Sequence, residues 1–541
     1  MESKNNQKDG KKRLWIAAGI AVGFCLLSLM AGFGRRAKGF IETPSDGDIT
    51  ISVGESVQEK DGISSSQEED GGEKQQEDSQ NKGKFFLGVQ GIVKGSVAMA
   101  RRGIAVALAE DKEAATYPKL PETLPPPEQT KDQEPGPPVI YLVSDLHYMS
   151  AASTDYQKAF ETFEAKSDGK VIRYLPQVLD ALLEEAIRDR PDALVLTGDI
   201  TMNGERINHQ ELAQILARVQ EAGIQVLVIP GNHDINNPDA AVYFGEKAQK
   251  ADAVDPREFE DIYRCFGPDQ AISRDEGSFS YVYALRDDVW LMLLDTAQYE
   301  PRNLVEGAVR PGTLLWMEEN LKAAKAGDIQ VVVLGHHNLL SESRMFTTMC
   351  TLENGEAVTG LLEHYQVPLY ISGHLHLQRT NQHKKGPGDT GYGIYEIVSD
   401  AVSIPPCQYG ILTWQDNKDM NYCTRRTDVE AWAAGRGEED ENLLRFVSYG
   451  QEYIRKIVED QIKREAKQVR EKTAGEMAEI YADVYADYCA GVEIDERERM
   501  RSREYRQWED YWPQSKQAQG LRAMIGDCSR DYNAIYVPGR P

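Results

Sequence analysis

Basic residues are scarce in this chain. Its 541 residues hold 61 Lys and Arg against 87 Asp and Glu, a formal net charge of −26 at pH 7. That balance argues against a nucleic-acid polymer as the main partner, because proteins that hold such polymers carry a basic footprint. It leaves room for a small phosphate ester, since bound cations dominate the field of their own site. Thiol-ligand spacing is missing too. Seven Cys are present, and Cys265, Cys350, Cys407, Cys423, Cys489 and Cys528 form no C-x-x-C pattern, which argues against a zinc ribbon. Their pairing cannot be read from spacing. No internal repeat is visible. Histidine is rare as well, with nine in the chain.

At this length the chain has room for two or three domains. Lys11-Lys12-Arg13 precedes an uncharged apolar run from Leu14 to Gly34, long enough to span a hydrocarbon core. Residues 1–40 therefore read as a cytoplasmic tail and a transmembrane signal anchor, with the rest of the chain outside the cell membrane. A cleaved signal peptide, giving a secreted protein, is the alternative. Leu29-Met30-Ala31 is a poor cleavage site and favours the anchor. Residues 41–137 read as a mostly disordered acidic and Pro-rich linker. Within it, Phe85–Ala109 reads as a helix, docked on the next domain or lying on a membrane. Pro125-Pro126-Pro127 marks a polyproline spacer.

From Pro138 apolar runs alternate with helical patterns. Val139–Val143, Ala193–Thr197, Gln225–Ile229, Val289–Leu294, Gln330–Leu334, Val367–Ser372, Gly393–Ser399 and Gln408–Trp414 read as strands. Arg173–Asp189, Asn208–Ala222 and Gly312–Ala324 read as helices, the second with Asn208 as its N-cap. The expectation is an α/β domain over 138–425. Over 426–541 the spacing predicts a helical C-terminal domain, with helices over Glu439–Gln468, Glu471–Cys489 and Glu496–Trp512. The first of these places Leu444, Val447, Tyr453, Ile454 and Ile457 near its packed face.

Six of the nine His fall in five short blocks, each just past an apolar strand. These are Asp145-Leu-His147, Gly198-Asp199, Gly231-Asn232-His233-Asp234, Gly335-His336-His337 and Gly373-His374-Leu375-His376. Asp145 and His147 stand two residues apart and project to one side of the strand end, where open α/β sheets bind ligands. Asp, Asn and His are ligands for Mn, Fe or Zn, and the absence of Cys excludes a thiolate cage. Two such ions clamp the attacking and leaving oxygens of a phosphoryl displacement.

D-x-H, G-D, G-N-H-D, G-H-H and G-H-L-H in this order resemble the calcineurin-like binuclear metallophosphoesterases, over Val139 to Trp414. Gly198–Glu205 and Gly231–Pro238 resemble a narrower group, exported bacterial cyclic-nucleotide phosphodiesterases with a helical C-terminal domain. The resemblance implies a double β-sandwich flanked by helices and a pair of divalent ions. It implies that Asp145, His147 and His376 bind the first metal, that Asn232, His336 and His374 bind the second, and that Asp199 bridges them. It makes His233 the catalytic residue that contacts the phosphoryl group. Two positions depart from the pattern. Met202 stands where relatives often carry an Asp that orients the catalytic His, with Asn203 or Asp234 as substitutes, and Asn338 stands where a Pro often follows the fourth block. Asn203, Glu205, His337 and Tyr409 are candidates to support the ligands or meet the substrate, with a surface or packing role as the first expectation for each.

The expected activity is metal-dependent hydrolysis of a small phosphodiester, first a cyclic nucleotide, by a metal-bridging hydroxide. An enzyme acting on a lipid-linked or cell-wall phosphate and an idle binding protein are the alternatives. The expected contacts are the small substrate and, through the N-terminal helix, the membrane; oligomeric state is not legible.

Overall fold

A computed structural model describes residues 136–383 and 393–539. The expected membrane anchor, and all but the last two residues of the expected linker, lie outside the described residues. Among the described residues no helix is long and apolar enough to cross a membrane.

The strands, in chain order, are β1 (Val139–Val143), β2 (Ala193–Thr197), β3 (Gln225–Ile229), β4 (Ala241–Phe244), β5 (Lys247–Lys250), β6 (Ser273–Arg274), β7 (Tyr281–Arg286), β8 (Val289–Leu293), β9 (Gln330–Leu334), β10 (Leu369–Ser372), β11 (Arg379–Gln382), β12 (Tyr395–Val398), β13 (Gln408–Trp414), β14 (Met420–Arg426) and β15 (Ala534–Val537). One sheet has the order β15–β14–β13–β1–β2–β3, the other β11–β12–β10–β9–β8–β7–β6. The strands that end in the five His and Asp blocks, β1, β2 and β3 in one sheet and β9 and β10 in the other, run parallel to their neighbours within each group.

Period-two alternation explains the layers. Ile140, Leu142, Val195, Leu227 and Ile229 of the first sheet share one buried core with Leu291, Leu293, Val332, Leu334, Leu369 and Ile371 of the second. Their neighbours Tyr141, Val143, Leu194 and Leu196 point the other way, onto the helices Leu175–Asp189 and Arg206–Glu221. Val331, Val333 and Met292 do the same on the second sheet, against the helices Pro311–Ala326 and Gly355–His364. Strands covered on both faces read as unbroken apolar runs, which is why they stood out in the sequence. The result is the expected α/β sandwich of two sheets flanked by helices.

The N-cap expectation is corrected. The helix Arg206–Glu221 starts earlier, with Glu205 at its N-cap, and Asn208 is buried inside its first turn. There the Asn208 amide accepts hydrogen bonds from Ser150 N and Ser153 Oγ and donates one to Glu205. Long-range partners outweigh the local preference.

The C-terminal region is helical, with helices Val429–Arg436, Glu441–Leu444, Phe446–Glu465, Glu471–Cys489, Glu496–Arg501, Arg503–Tyr511 and Lys516–Asp527. The expected long helices break at Arg445 and at Ser502, whose hydroxyl accepts from Tyr505 N and caps the next helix. The break at Arg445 also shifts the packed face. Phe446, Gly450, Ile454, Val458 and Ile462 are buried at four-residue spacing, while Leu444 and Val447 are exposed. Val429, Ala433, Leu443 and Phe446 join the core under the first sheet, and the later helices pack on Leu375, Leu377, Val398 and Ile404. After them β15 returns to pair with β14 and buries Val537 between the sheets.

Candidate metal centre

The loops after β1, β2, β3, β9 and β10 converge at one edge of the sandwich. Backbone bonds hold them in register: Asp145 N donates to Gly198 O at 3.2 Å, His147 N to Asp199 O at 2.9 Å and Gly373 N to His336 O at 2.9 Å. Asp145, His147, Asp199, His374 and His376 all sit at positive φ, between 46° and 68°. Non-glycine residues rarely adopt such angles, and clusters of them mark functional sites. Gly373 shows how tight the loops are. A Cβ there would lie 1.8 Å from Ser144 Oγ and 2.5 Å from Asp145 Oδ2.

One atom each of Asp145, His147, Asp199 and His376 lies within 4.8 Å of the others, a spacing a cation can bridge. His147 Nε2 faces His376 Nε2 at 3.0 Å, and Asp145 Oδ1 lies 3.2 Å from His376 Nε2. Asp145 Oδ2 accepts from Ser144 Oγ and His374 N, but its buried Oδ1 finds no hydrogen-bond donor. A buried carboxylate oxygen without a donor, facing two imidazole nitrogens, fits a missing cation.

The remaining residues form a second cluster that shares Asp199. His336 Nε2 stands 3.2 Å from both Asp199 Oδ2 and Asn232 Oδ1. Its Nδ1 donates to Thr197 O at 2.9 Å, which orients Nε2 inward. His374 packs its ring 5.2 Å from that of His336 and donates Nε2–H to Met349 O, leaving its Nδ1 lone pair. His337 also lies close enough to His336 and His374 to serve a cation. Both its nitrogens are engaged, however, with Thr296 Oγ1 at 2.8 Å and Val305 O at 3.0 Å. It packs the loop, in line with the expectation for it.

Electrostatics favour a cation. Burial alone would raise the Asp145 and Asp199 carboxyls, but His376 beside the first and His336 beside the second hold both below the usual range. Burial disfavours the His336 cation, yet the Asp199 carboxylate reverses this and pushes the ring up to about 9. A bound divalent ion takes the place of that proton. Burial pushes His374 down to about 4 and lowers His147 and His376, so these rings are neutral and their lone pairs are free to bind metal.

His233 sits at the mouth, its side chain 34% exposed and its Nε2 4.0 Å from Asp199 Oδ2. Its ring meets His147 edge-on at 4.8 Å. Nδ1 lies 2.8 Å from Met202 O and 2.9 Å from Asn203 Oδ1. Of the two substitutes expected for the missing Asp, Asn203 is the one that meets His233, together with the Met202 carbonyl. Asp234 does not. It accepts from Gly231 N, Ile200 N, Thr201 N and Thr201 Oγ1, and so pins the loop after β3 to the loop after β2. Glu205 and Tyr409 are buried packing residues bonded within the fold. Sequence reasoning missed Asn303, whose Nδ2 donates to Asn232 O at 2.7 Å and Ile235 O at 2.9 Å. A lone Asn in an irregular loop carries no signal of that role.

Comparison with known proteins agrees with this geometry. Residues 138–378 match the calcineurin-like phosphoesterase family, and residues 428–531 match the C-terminal domain of cyclic nucleotide phosphodiesterase. A glycerophosphodiester phosphodiesterase of Enterobacter lignolyticus is 24% identical over 249 residues, 46% of this chain and 76% of its own length. A probable cyclic nucleotide phosphodiesterase of Ruthia magnifica is 44% identical over 59 residues, 11% of this chain and 24% of its own length. Among solved structures, a dimetal phosphatase from Danio rerio covers 54% of this chain and 97% of its own at 16% identity and a TM-score of 0.38. A purple acid phosphatase from yellow lupin covers 54% and 52% at 12% identity and a TM-score of 0.37. The chain carries a calcineurin-like phosphoesterase domain followed by a cyclic nucleotide phosphodiesterase C-terminal domain, and it is a divalent-metal phosphoric ester hydrolase.

Proposed function

We propose that this enzyme hydrolyses a cyclic nucleotide with two divalent ions. Asp145, His147 and His376 hold one, Asn232, His336 and His374 the other, and Asp199 serves both. When bound, the ions polarise the phosphoryl oxygens and lower the pKa of water into the neutral range, which supplies the nucleophile. The chain's own residues do the rest. Their neutral rings and unpaired carboxylate oxygen fix the ions on rigid strand ends. His233 places Nε2 beside the site while Nδ1–H is held by Met202 O and Asn203 Oδ1. From there it hydrogen-bonds a phosphoryl oxygen and gives a proton to the departing ribose oxygen.

The observation that carries the substrate class is the C-terminal domain match over 428–531, packed on the loops that bear the site. The glycerophosphodiester relative favours an open-chain diester as the second reading. Turnover of adenosine 3′,5′-cyclic monophosphate and of glycerophosphoethanolamine by the manganese-loaded chain separates them. A kcat/KM at least about tenfold higher on the open-chain diester overturns the cyclic-nucleotide reading. The apolar run Leu14–Gly34 between basic clusters supports anchoring in the cell membrane with the catalytic domain outside. Recovery of the full chain in the soluble fraction of cells would count against it.

A further inference from the structure

The carbonyl that steers His374 comes from a loop, not from a strand. His374 is buried and donates Nε2–H to Met349 O at 2.9 Å, which leaves Nδ1 for an ion. The corresponding acceptor for His336, Thr197 O, belongs to β2 and is fixed by the sheet. Met349 has no such support. It lies in the irregular stretch 341–350 that follows the fourth ligand block, and it holds φ at +59°. A non-glycine residue keeps such an angle only where its surroundings impose it.

The C-terminal helices supply that constraint. Asp527, at the end of the helix Lys516–Asp527, has a side chain only 6% exposed. Its Oδ2 accepts from Arg344 N at 2.8 Å and from Ser343 Oγ at 3.3 Å. Ser343 Oγ also meets the hydroxyl of Tyr488, on the helix Glu471–Cys489, at 2.6 Å, and it accepts from Met345 N and Phe346 N at 2.9 and 3.1 Å. Arg344 Nε lies 3.4 Å from Asp527 Oδ1, but its side chain is 75% exposed, so that ion pair adds little. Met345 and Cys350, on either side of Met349, share a buried core with Tyr481, Leu521, Met524 and Ile525 of the same two helices. The far end of the loop returns to the metal centre. There Asn338 N donates to Cys350 O at 3.2 Å and Leu352 N to Asn338 O at 2.9 Å, just past His337. Met349 O is thus held from one side by a carboxylate that meets the loop from 183 positions downstream, and from the other by the fourth ligand block.

We propose that Asp527 is a positioning residue for the second metal: through Ser343 and Arg344 it fixes the 341–350 loop, and with it the carbonyl that orients His374. This rests on the two-ion reading of the site. It gives the C-terminal domain a task, since helices that supply no ligand set how tightly the His374 site holds its ion. Loss of an outer partner that orients a ligand lowers metal affinity about 10- to 100-fold. Asp527 acts one contact further out, which puts its share at the low end of that range.

The test uses the full chain, stripped with a chelator and titrated with manganese in a calorimeter, so that it reads binding and not turnover. D527A is expected to lower one manganese affinity about tenfold and to leave the other within about twofold of wild type. H376A, which lacks a ligand of the first site, assigns the loss: adding D527A to it should weaken the remaining site by the same factor. D527N keeps an acceptor for Arg344 N and should recover most of the loss. A merely structural role would lower both affinities together or neither, and either result overturns the proposal. So does a loss that vanishes in the H376A background. If D527A does not fold, S343A takes its place: a loss of a few-fold confined to the same site supports the proposal, and no loss overturns it. A wild-type chain that takes up fewer than two manganese ions sinks the two-ion reading itself, and the positioning role with it.

Discussion

Replacing His233 by Ala separates a proton donor from a metal ligand. Its Nδ1 is occupied by Met202 O and Asn203 Oδ1, so Nε2 alone faces the centre. That atom is 4.0 Å from Asp199 Oδ2, where His336 Nε2 approaches to 3.2 Å, and its side chain is the more accessible of the two. His233→Ala is therefore expected to keep its full metal complement. General acid catalysis contributes about 10²–10⁴-fold, equivalent to about 3–5 kcal/mol of barrier. It matters most for a poor leaving group such as a ribose oxygen. Turnover of a cyclic nucleotide should fall by that factor, while bis(p-nitrophenyl) phosphate, whose leaving group needs no proton, should lose about tenfold or less. The assay is steady-state kinetics on both esters beside elemental analysis of the same sample. Loss of one metal with equal losses on both esters would refute the reasoning and make His233 a ligand.

Asn203→Ala removes one of two partners of His233 Nδ1 and should lower cyclic-nucleotide turnover about 3- to 10-fold, measured as kcat at unchanged metal content. Asp199→Asn should lose more activity than His376→Ala or Asn232→Ala, because both clusters share Asp199; wild-type turnover in that variant would disprove its shared role. His209 is fully buried, with Nε2 near Asp234 O and Nδ1 near the Tyr263 hydroxyl, and burial pushes it down to about 3. Its folded pKa is below the unfolded value near 6.5, so the unfolded state binds the extra proton. Stability is then complete above about pH 6.5 and falls by up to about 1.4 kcal/mol per pH unit toward pH 3. Urea unfolding between pH 7 and 5 should show this slope, and His209→Gln should flatten it.

Much of the catalytic sandwich was legible because its strands are buried on both faces. Ile140 and Leu142 face one core and Tyr141 and Val143 the other, so the run reads as unbroken apolar sequence. The ligand blocks stood out because each follows such a run, and scarce histidines cluster there. What failed depended on distant partners. Asn208 has the local chemistry of a cap, but Ser150 and Ser153 draw it into the helix interior. Asn203 and Asp234 were both legible as substitutes for the Asp missing at Met202, and only the folded loops choose Asn203. Leu444 fits the amphipathic face only if the helix runs through Arg445, and it does not; Val447, in the first turn of the next helix, stays exposed. β15 is four residues long, and its partner β14 lies more than a hundred residues upstream.

The most direct measurement is metal stoichiometry in the active protein. The chain is stripped with a chelator and titrated with manganese, with bound metal and cyclic-nucleotide turnover followed together. Two ions per chain are expected, with turnover absent in the stripped protein and complete only as the second ion binds. Full turnover with one ion per chain, or with none, would contradict the two-cluster assignment built on Asp199.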